Sequence, residues 1–139
     1  MQASLDHISI NVSSPEISFS FYRDLLCYLE YEIIKDEKDC LAARKKGTSD
    51  LWFKPTEGKH IFDGFHRKQT GMNHLAFHVS SKKEVDKFCD EFLEPRGIKT
   101  LYQTPKAFPE YETDYYAVYF EDPDRIKIEI CFINSDRIM

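Results

Sequence analysis

Leu5–Ser14 reads LDHISINVSS and Met72–Ser81 reads MNHLAFHVSS. Laid over one another at an offset of 67 residues, they share His, Val, Ser and Ser, where chance gives about one identity. The apolar pairs Leu5/Met72, Ile8/Leu75 and Ile10/Phe77 agree as well. The register runs on without a gap, so that Phe21 falls on Phe88, Leu25 on Phe92 and Leu26 on Leu93. Both continuations read as amphipathic helices. Pro15 suits a first helical position, where its missing N–H leaves nothing unpaired. Ser81 and Glu84 have the spacing of a capping box. Ile17, Phe21 and Leu25 are expected on one buried face, and Val85, Phe88 and Phe92 on the other helix's. Gly97 is the expected stop of the second helix.

After each helix the pattern turns to short strands. They are expected at 29–34, 39–44 and 49–54, then at 98–103, 115–121 and 126–133. Each half is therefore β-α-β-β-β and the fold class is α+β, two tandem βαβββ modules in one domain spanning 1–139. Module one covers 4–54, a linker with Pro55, Gly58, Gly64 and Gly71 covers 55–71, and module two covers 72–133. Neither half alone offers enough core to stand as an independent domain.

Composition narrows the function classes. The chain has 139 residues, 42% hydrophobic and 31% charged, with a formal net charge of −5, which argues against nucleic acid or an anionic membrane as the main partner. No run of apolar residues is long enough to cross a membrane and the amino terminus lacks signal-peptide character, so the expected location is cytoplasmic. Cys27, Cys40, Cys89 and Cys131 show no paired spacing and read as reduced, mostly buried thiols. No G-x-G-x-x-G, P-loop or G-x-S-x-G motif is present, so nucleotide hydrolysis and triad acyl transfer have no support.

Strand alternation places the chemistry. Ile8, Ile10 and Val12 should meet the helix, leaving His7, Ser9 and Asn11 on the opposite face. Leu75, Phe77 and Val79 likewise oppose His74, Ala76 and His78. In the last strand Ile126, Ile128 and Ile130 oppose Glu129. A single polar residue on such a face needs no function. Two repeat-equivalent histidines and one carboxylate together make a ligand set for a borderline divalent ion, and so sparse a set is of catalytic type. His78 reads as a polar wall residue.

The LDHISINV and MNHLAFHV strands, with YYAVYFEDPDRIKIEI (Tyr115–Ile130), resemble the vicinal oxygen chelate superfamily of glyoxalases, bleomycin- and fosfomycin-resistance proteins and extradiol dioxygenases. The resemblance covers nearly the whole chain. It implies that each sheet curls into an incomplete barrel around a cleft, the glyoxalase-like fold. It implies His7, His74 and Glu129 as metal ligands, with Fe, Mn, Ni, Zn or Co as the ion. It implies a small-molecule substrate and a homodimer.

Aligning DLWFK with KIEIC puts Trp52 where glyoxalase-like members carry Glu or Gln. Asp50, on the same face, could substitute as base. Arg125 stands where the family often has Gly, and a type I turn accepts it. His66, or its neighbour Arg67, could close over the cleft and handle an anionic substrate. Of the aromatic segment Tyr111, Tyr115, Tyr116 and Tyr119, one near the metal could supply a proton, and Tyr116 is the residue chosen. The expected activity is metal-dependent and lactoylglutathione-lyase-like. The alternatives are an extradiol-type dioxygenase, a fosfomycin-resistance-like transferase, and a metal-free drug-binding protein of the bleomycin-resistance type.

Overall fold

The computed structural model describes residues 1–134. Two units are present, Met1–Gly64 and Phe65–Met139.

The first unit runs β1 (His7–Val12), α1 (Pro15–Tyr28), β2 (Glu32–Glu37), β3 (Cys40–Arg44) and β4 (Asp50–Pro55). Its strands lie in the order β1-β4-β3-β2. β1 pairs parallel to β4, and the other pairs are antiparallel. The second unit runs β5 (His74–His78), α2 (Lys82–Phe88), β6 (Thr100–Ala107), β7 (Tyr116–Glu121) and β8 (Lys127–Phe132). Its order, β5-β8-β7-β6, is the same topology, again with one parallel pair. Each sheet is four-stranded, mixed and open, as the glyoxalase-like fold requires. Among the described residues no helix is long and apolar enough to cross a membrane.

The repeat reaches into the turns. After α1, Glu30 adopts φ +65°, the Tyr31 N–H donates to the Leu26 carbonyl at 2.8 Å, and the Glu30 N–H donates to that of Cys27 at 3.0 Å. After α2 the chain widens into a π-helical turn at Cys89–Leu93, tightens to a 3-10 turn at Glu94–Arg96, and Gly97 adopts φ +63°. There Ile98 donates to Leu93 and Gly97 to Glu94, both at 3.0 Å. These are two copies of one helix-ending motif, 67 residues apart, and only the second has the glycine that the left-handed backbone favours. The motif uses Leu29–Tyr31, so β2 begins at Glu32 rather than at 29.

The buried face of α1 is rotated from the expected one. Phe19, Tyr22, Leu25 and Leu26 are buried, whereas Ile17 is 61% exposed. Tyr22 takes the central place by stacking on Phe53 of β4 at 4.0 Å between ring centres. In α2 the expected Val85 and Phe88 are buried, as is Phe92 in the Cys89–Leu93 turn that continues it. The capping-box spacing works with a shift: Ser81 Oγ accepts from the Glu84 N–H at 3.2 Å, and the Glu84 carboxylate accepts from the N–H of Ser80, not Ser81, at 2.8 Å. Cys40 and Cys131 are buried, Cys89 is half-buried and Cys27 is exposed, all as free thiols.

Two departures lie in β6 and the β7–β8 turn. β6 extends to Ala107 because its ladder breaks between Leu101 and Lys106, where Thr104 Oγ1 accepts the Tyr119 N–H at 3.0 Å in place of a backbone carbonyl. In the Asp-Pro-Asp turn the Asp122 carboxylate accepts the N–H groups of Asp124 and Ile126 at 2.7 and 2.8 Å. Arg125 there has φ +64°, so it occupies a left-handed position rather than an ordinary type I site. Its guanidinium is tied to Glu121 at 3.1 Å.

Candidate functional site

The chemistry of the second unit gathers on the sheet face away from α2. Ala76 pairs with Glu129, and Glu129 with Tyr119, so one row of the sheet carries the carboxylate and a phenol. Glu129 is 1% exposed. A buried carboxylate has to be hydrogen-bonded or paired, and this one is both. Tyr115 Oη donates to its Oε1, and His74 Nε2 lies 2.9 Å from its Oε2. Tyr119 packs edge-on to His74, with ring centres 6.0 Å apart. Phe108, Ala117 and Cys131 close a small apolar cluster around these groups. Burial, and then the hydrogen bond to Glu129, push the Tyr115 phenol far above its ordinary range. Burial and the Glu129 charge do the same to Tyr119. The Cys131 thiol is pushed up to about 11 by burial, so it stays protonated. Nearby, burial pushes the Tyr102 phenol up, but Lys127 and Arg67 outweigh it and leave it lowered.

The orientation of His74 carries chemical information. Asn73 Nδ2 donates to the Arg67 carbonyl at 3.4 Å, which turns its Oδ1 toward His74 Nδ1 at 2.7 Å. An amide oxygen only accepts, so His74 carries a proton on Nδ1. Its Nε2 therefore presents a lone pair to a carboxylate oxygen unless a proton or a metal ion lies between them. An Nδ1-anchored imidazole facing a carboxylate is the usual preparation of a metal-ligating histidine. On this ground the donor set would suit a divalent ion, to which His74 and Glu129 could each supply a donor atom. Among the described residues no three histidine, cysteine or carboxylate side chains are gathered as one group.

The first unit repeats the anchor. His7 Nδ1 lies 2.7 Å from Asp6 Oδ2, and Asp6 and Asn73 are equivalent at the 67-residue offset. The carboxylate of the second unit is not repeated. Ser9 pairs with Trp52 as Ala76 pairs with Glu129, so the indole holds the equivalent place. Asp50 pairs with His7 across the parallel ladder, but its carboxylate is gripped by Arg44 at 2.6–3.1 Å through Nε and Nη2, one edge of the guanidinium. That hydrogen-bonded fork holds the Asp50 carboxyl below its ordinary range, which suits a fixed anion rather than a mobile base.

The remaining sequence-picked residues are scattered. Tyr116 lies on the helix side of its sheet and donates to Asp86 of α2 at 2.6 Å, and its phenol is pushed up to about 12 by burial. Strand parity puts Tyr115 and Tyr119, not Tyr116, on the Glu129 face, and that signal was available in the sequence. His66 is exposed, with Nδ1 accepting the Lys68 N–H at 3.1 Å. Arg67 is held by Glu121 at 2.9 Å and by the Arg125 carbonyl at 3.3 Å, so its charge is engaged within its own unit. His78 Nε2 meets the Ile133 carbonyl at 3.4 Å, and the carboxylate whose charge it feels is Glu84 of α2 rather than Glu129.

Known proteins share this arrangement. The model of the Glyoxalase/Bleomycin resistance protein/Dioxygenase superfamily matches residues 4–130. The uncharacterized protein YqjT of Bacillus subtilis (strain 168) is 33% identical over 128 residues, covering 91% of this chain and 96% of its own. The crystal structure of a candidate glyoxalase from Bacillus halodurans superposes with a TM-score of 0.85 at 39% identity, covering 95% of this chain and 97% of that one. Lactoylglutathione lyase from Agrobacterium tumefaciens has the same fold, with a TM-score of 0.65 at 16% identity and 94% of each chain covered. A model match over nearly the whole chain, on a fold with two like modules and an anchored histidine in each, leads to one conclusion: the chain belongs to the Glyoxalase/Bleomycin resistance protein/Dioxygenase superfamily.

Proposed function

We propose that the chain is a divalent-metal-dependent enzyme for a small oxygenated substrate, with His7, His74 and Glu129 as the ligands and a lactoylglutathione-lyase-like isomerisation as the nearest reaction type. The observation that supports it is the approach of His74 Nε2, on a ring anchored through Nδ1, to within 2.9 Å of a buried carboxylate oxygen. When bound, the ion acts as a Lewis acid toward a substrate oxygen.

The side chains of this protein do the rest. Asn73 and Asp6 hold the two imidazoles by Nδ1 and leave each Nε2 outside that contact. Tyr115 fixes the Glu129 carboxylate through Oε1, so that Oε2 stays directed at His74. Phe108 and Tyr119 exclude water from the same face, which strengthens every electrostatic contact there. Tyr115 replaces Tyr116 as the phenol placed to hold a proton. His66 remains a candidate proton carrier, since its Nδ1 accepts a backbone N–H and its Nε2 carries the hydrogen. The pairing of subunits into a homodimer belongs to the same proposal, and light scattering on the eluting peak checks it.

The test is metal uptake. Chelated protein is offered Fe(II), Mn(II), Co(II), Ni(II) or Zn(II), freed of excess and analysed for bound ion. About one equivalent is expected, with His74→Ala and Glu129→Gln each lowering affinity at least about tenfold. Uptake that these two variants leave unchanged overturns the proposal and returns the metal-free binding reading. The loaded protein is then assayed on glutathione hemithioacetals, catechols and fosfomycin, which separates the isomerase from the dioxygenase and transferase alternatives.

A further inference from the structure

The place of Glu129 is taken in the first unit by Trp52, the one tryptophan of the chain. It is half-buried on the open face of its sheet, in a row that runs Ser9, Trp52, Ala42, Lys35. The strand neighbours of the indole on this row, Ser9 and Ala42, are small, and His7 meets the ring edge-on at 6.5 Å between ring centres. A shallow cavity of about 390 Å³ opens here, with His7, Ser9, Trp52 and Lys54 in its lining. The lining also holds Asp6, Arg44 and Asp50, so the aromatic wall is paired with ionic groups of both signs.

Asp50 is neutralised by Arg44, and Asp6 is bonded to His7. Of the lining cations, that leaves Lys54 outside these contacts. Lys54 is exposed and has no ion-pair partner among the described residues. Lys35 Nζ stands 6.0 Å from the indole centre, 3.7 Å from Glu37. Lys54 follows Trp52 by two residues on the same strand face, so their side chains rise about 6.6 Å apart. That separation suits a ligand whose ring stacks on the indole while its carboxylate reaches the ammonium group. A ring contributes π-stacking, and an anion contributes a charge-assisted hydrogen bond.

We infer that this face of the first unit is a binding site for a planar aromatic carboxylate, stacked on Trp52 and held by Lys54. The inference deepens the proposed function by naming a substrate class, since His7 lines the same cavity.

The tryptophan is its own reporter. Metal-stripped protein is titrated with phenylacetate, with benzyl alcohol as the uncharged ring and with acetate as the ringless anion, while indole emission is followed. Phenylacetate is expected to change the emission saturably, and benzyl alcohol and acetate to bind at least about tenfold more weakly. Lys54→Met should weaken phenylacetate about fivefold, and Lys54→Arg should restore it to within about twofold. An absent saturable change, an equal response to benzyl alcohol, or an unchanged response in Lys54→Met overturns the inference. Because the protein is stripped of metal, this outcome is independent of metal uptake. A chain that takes up no ion but shows this pattern loses the metal reading and keeps the site, and the reverse result does the opposite.

Discussion

The two units share a backbone plan and differ in what they place on it. The strand order, the parallel pair, the anchored histidine and the helix-ending motif recur at a constant offset. At the centre of the row, one unit holds a buried carboxylate between two phenols and an imidazole, and the other a half-buried indole beside lysines. The difference teaches that backbone hydrogen bonding tolerates wide change in the residues on the open face. The open face carries the polar and aromatic groups of the proposed sites, and the helix side carries the apolar core.

The sharpest way to break this comparison is to truncate both centres. Glu129→Ala strands the Tyr115 hydroxyl and the His74 ring without their acceptor in a buried setting, and should cost about 3 kcal/mol in urea unfolding. Trp52→Ala removes a half-buried ring from an open face and should cost about half as much. Equal losses would mean that the two faces are not specialised.

A second pair concerns the left-handed helix ends. Glu30→Gly should stabilise by about 1 kcal/mol, because glycine accepts φ +65° without the steric penalty of a side chain. Gly97→Ala should destabilise by a similar amount, and the open space around Gly97 offers no clash to add to it. A third contrast lies within the helices. Ser18 Oγ is buried without a hydrogen-bond partner, at the position where the other unit has Val85. Ser18→Ala should therefore raise stability by about 1 kcal/mol in the same assay.

The smallest effect is at the helix starts. Ser81→Ala loses a cap and should cost about 1 kcal/mol, whereas Ser14, which makes no side-chain cap, should tolerate alanine within about 0.3 kcal/mol. The Glu84 carboxyl is held below its ordinary range by the Ser80 N–H and hydroxyl. A lowered folded-state value means that its contribution is present above the unfolded carboxylate range. It is lost as pH falls through the folded value. Glu84→Gln should accordingly be less stable than the parent at neutral pH, with the gap closing in acid.

The offset of Leu5–Ser14 on Met72–Ser81 made the repeat legible, and with it the topology and the two histidines. The face of α1 was not legible, because an apolar Ile17 and an aromatic Tyr22 score alike until Phe53 supplies a stacking partner. The length of β6 escaped as well, since a side-chain oxygen of Thr104 replaces a ladder carbonyl and leaves no periodic trace. In the site, parity on β7 already separated Tyr116 from Tyr115 and Tyr119, and Asp6 over Asn73 already marked the histidine anchors.

The sequence by itself determined the modular plan, the family and the equivalence of His7 with His74, because period-2 alternation and a repeat are properties of residue order. Only the tertiary structure decided that Glu129 is buried between Tyr115 and His74, that Asp50 is consumed by Arg44, and that Tyr116 serves the helix. Those outcomes depend on which strands become neighbours. Hydrogen bonds and ion pairs act over about 3 Å in space, a distance that position along the chain does not encode.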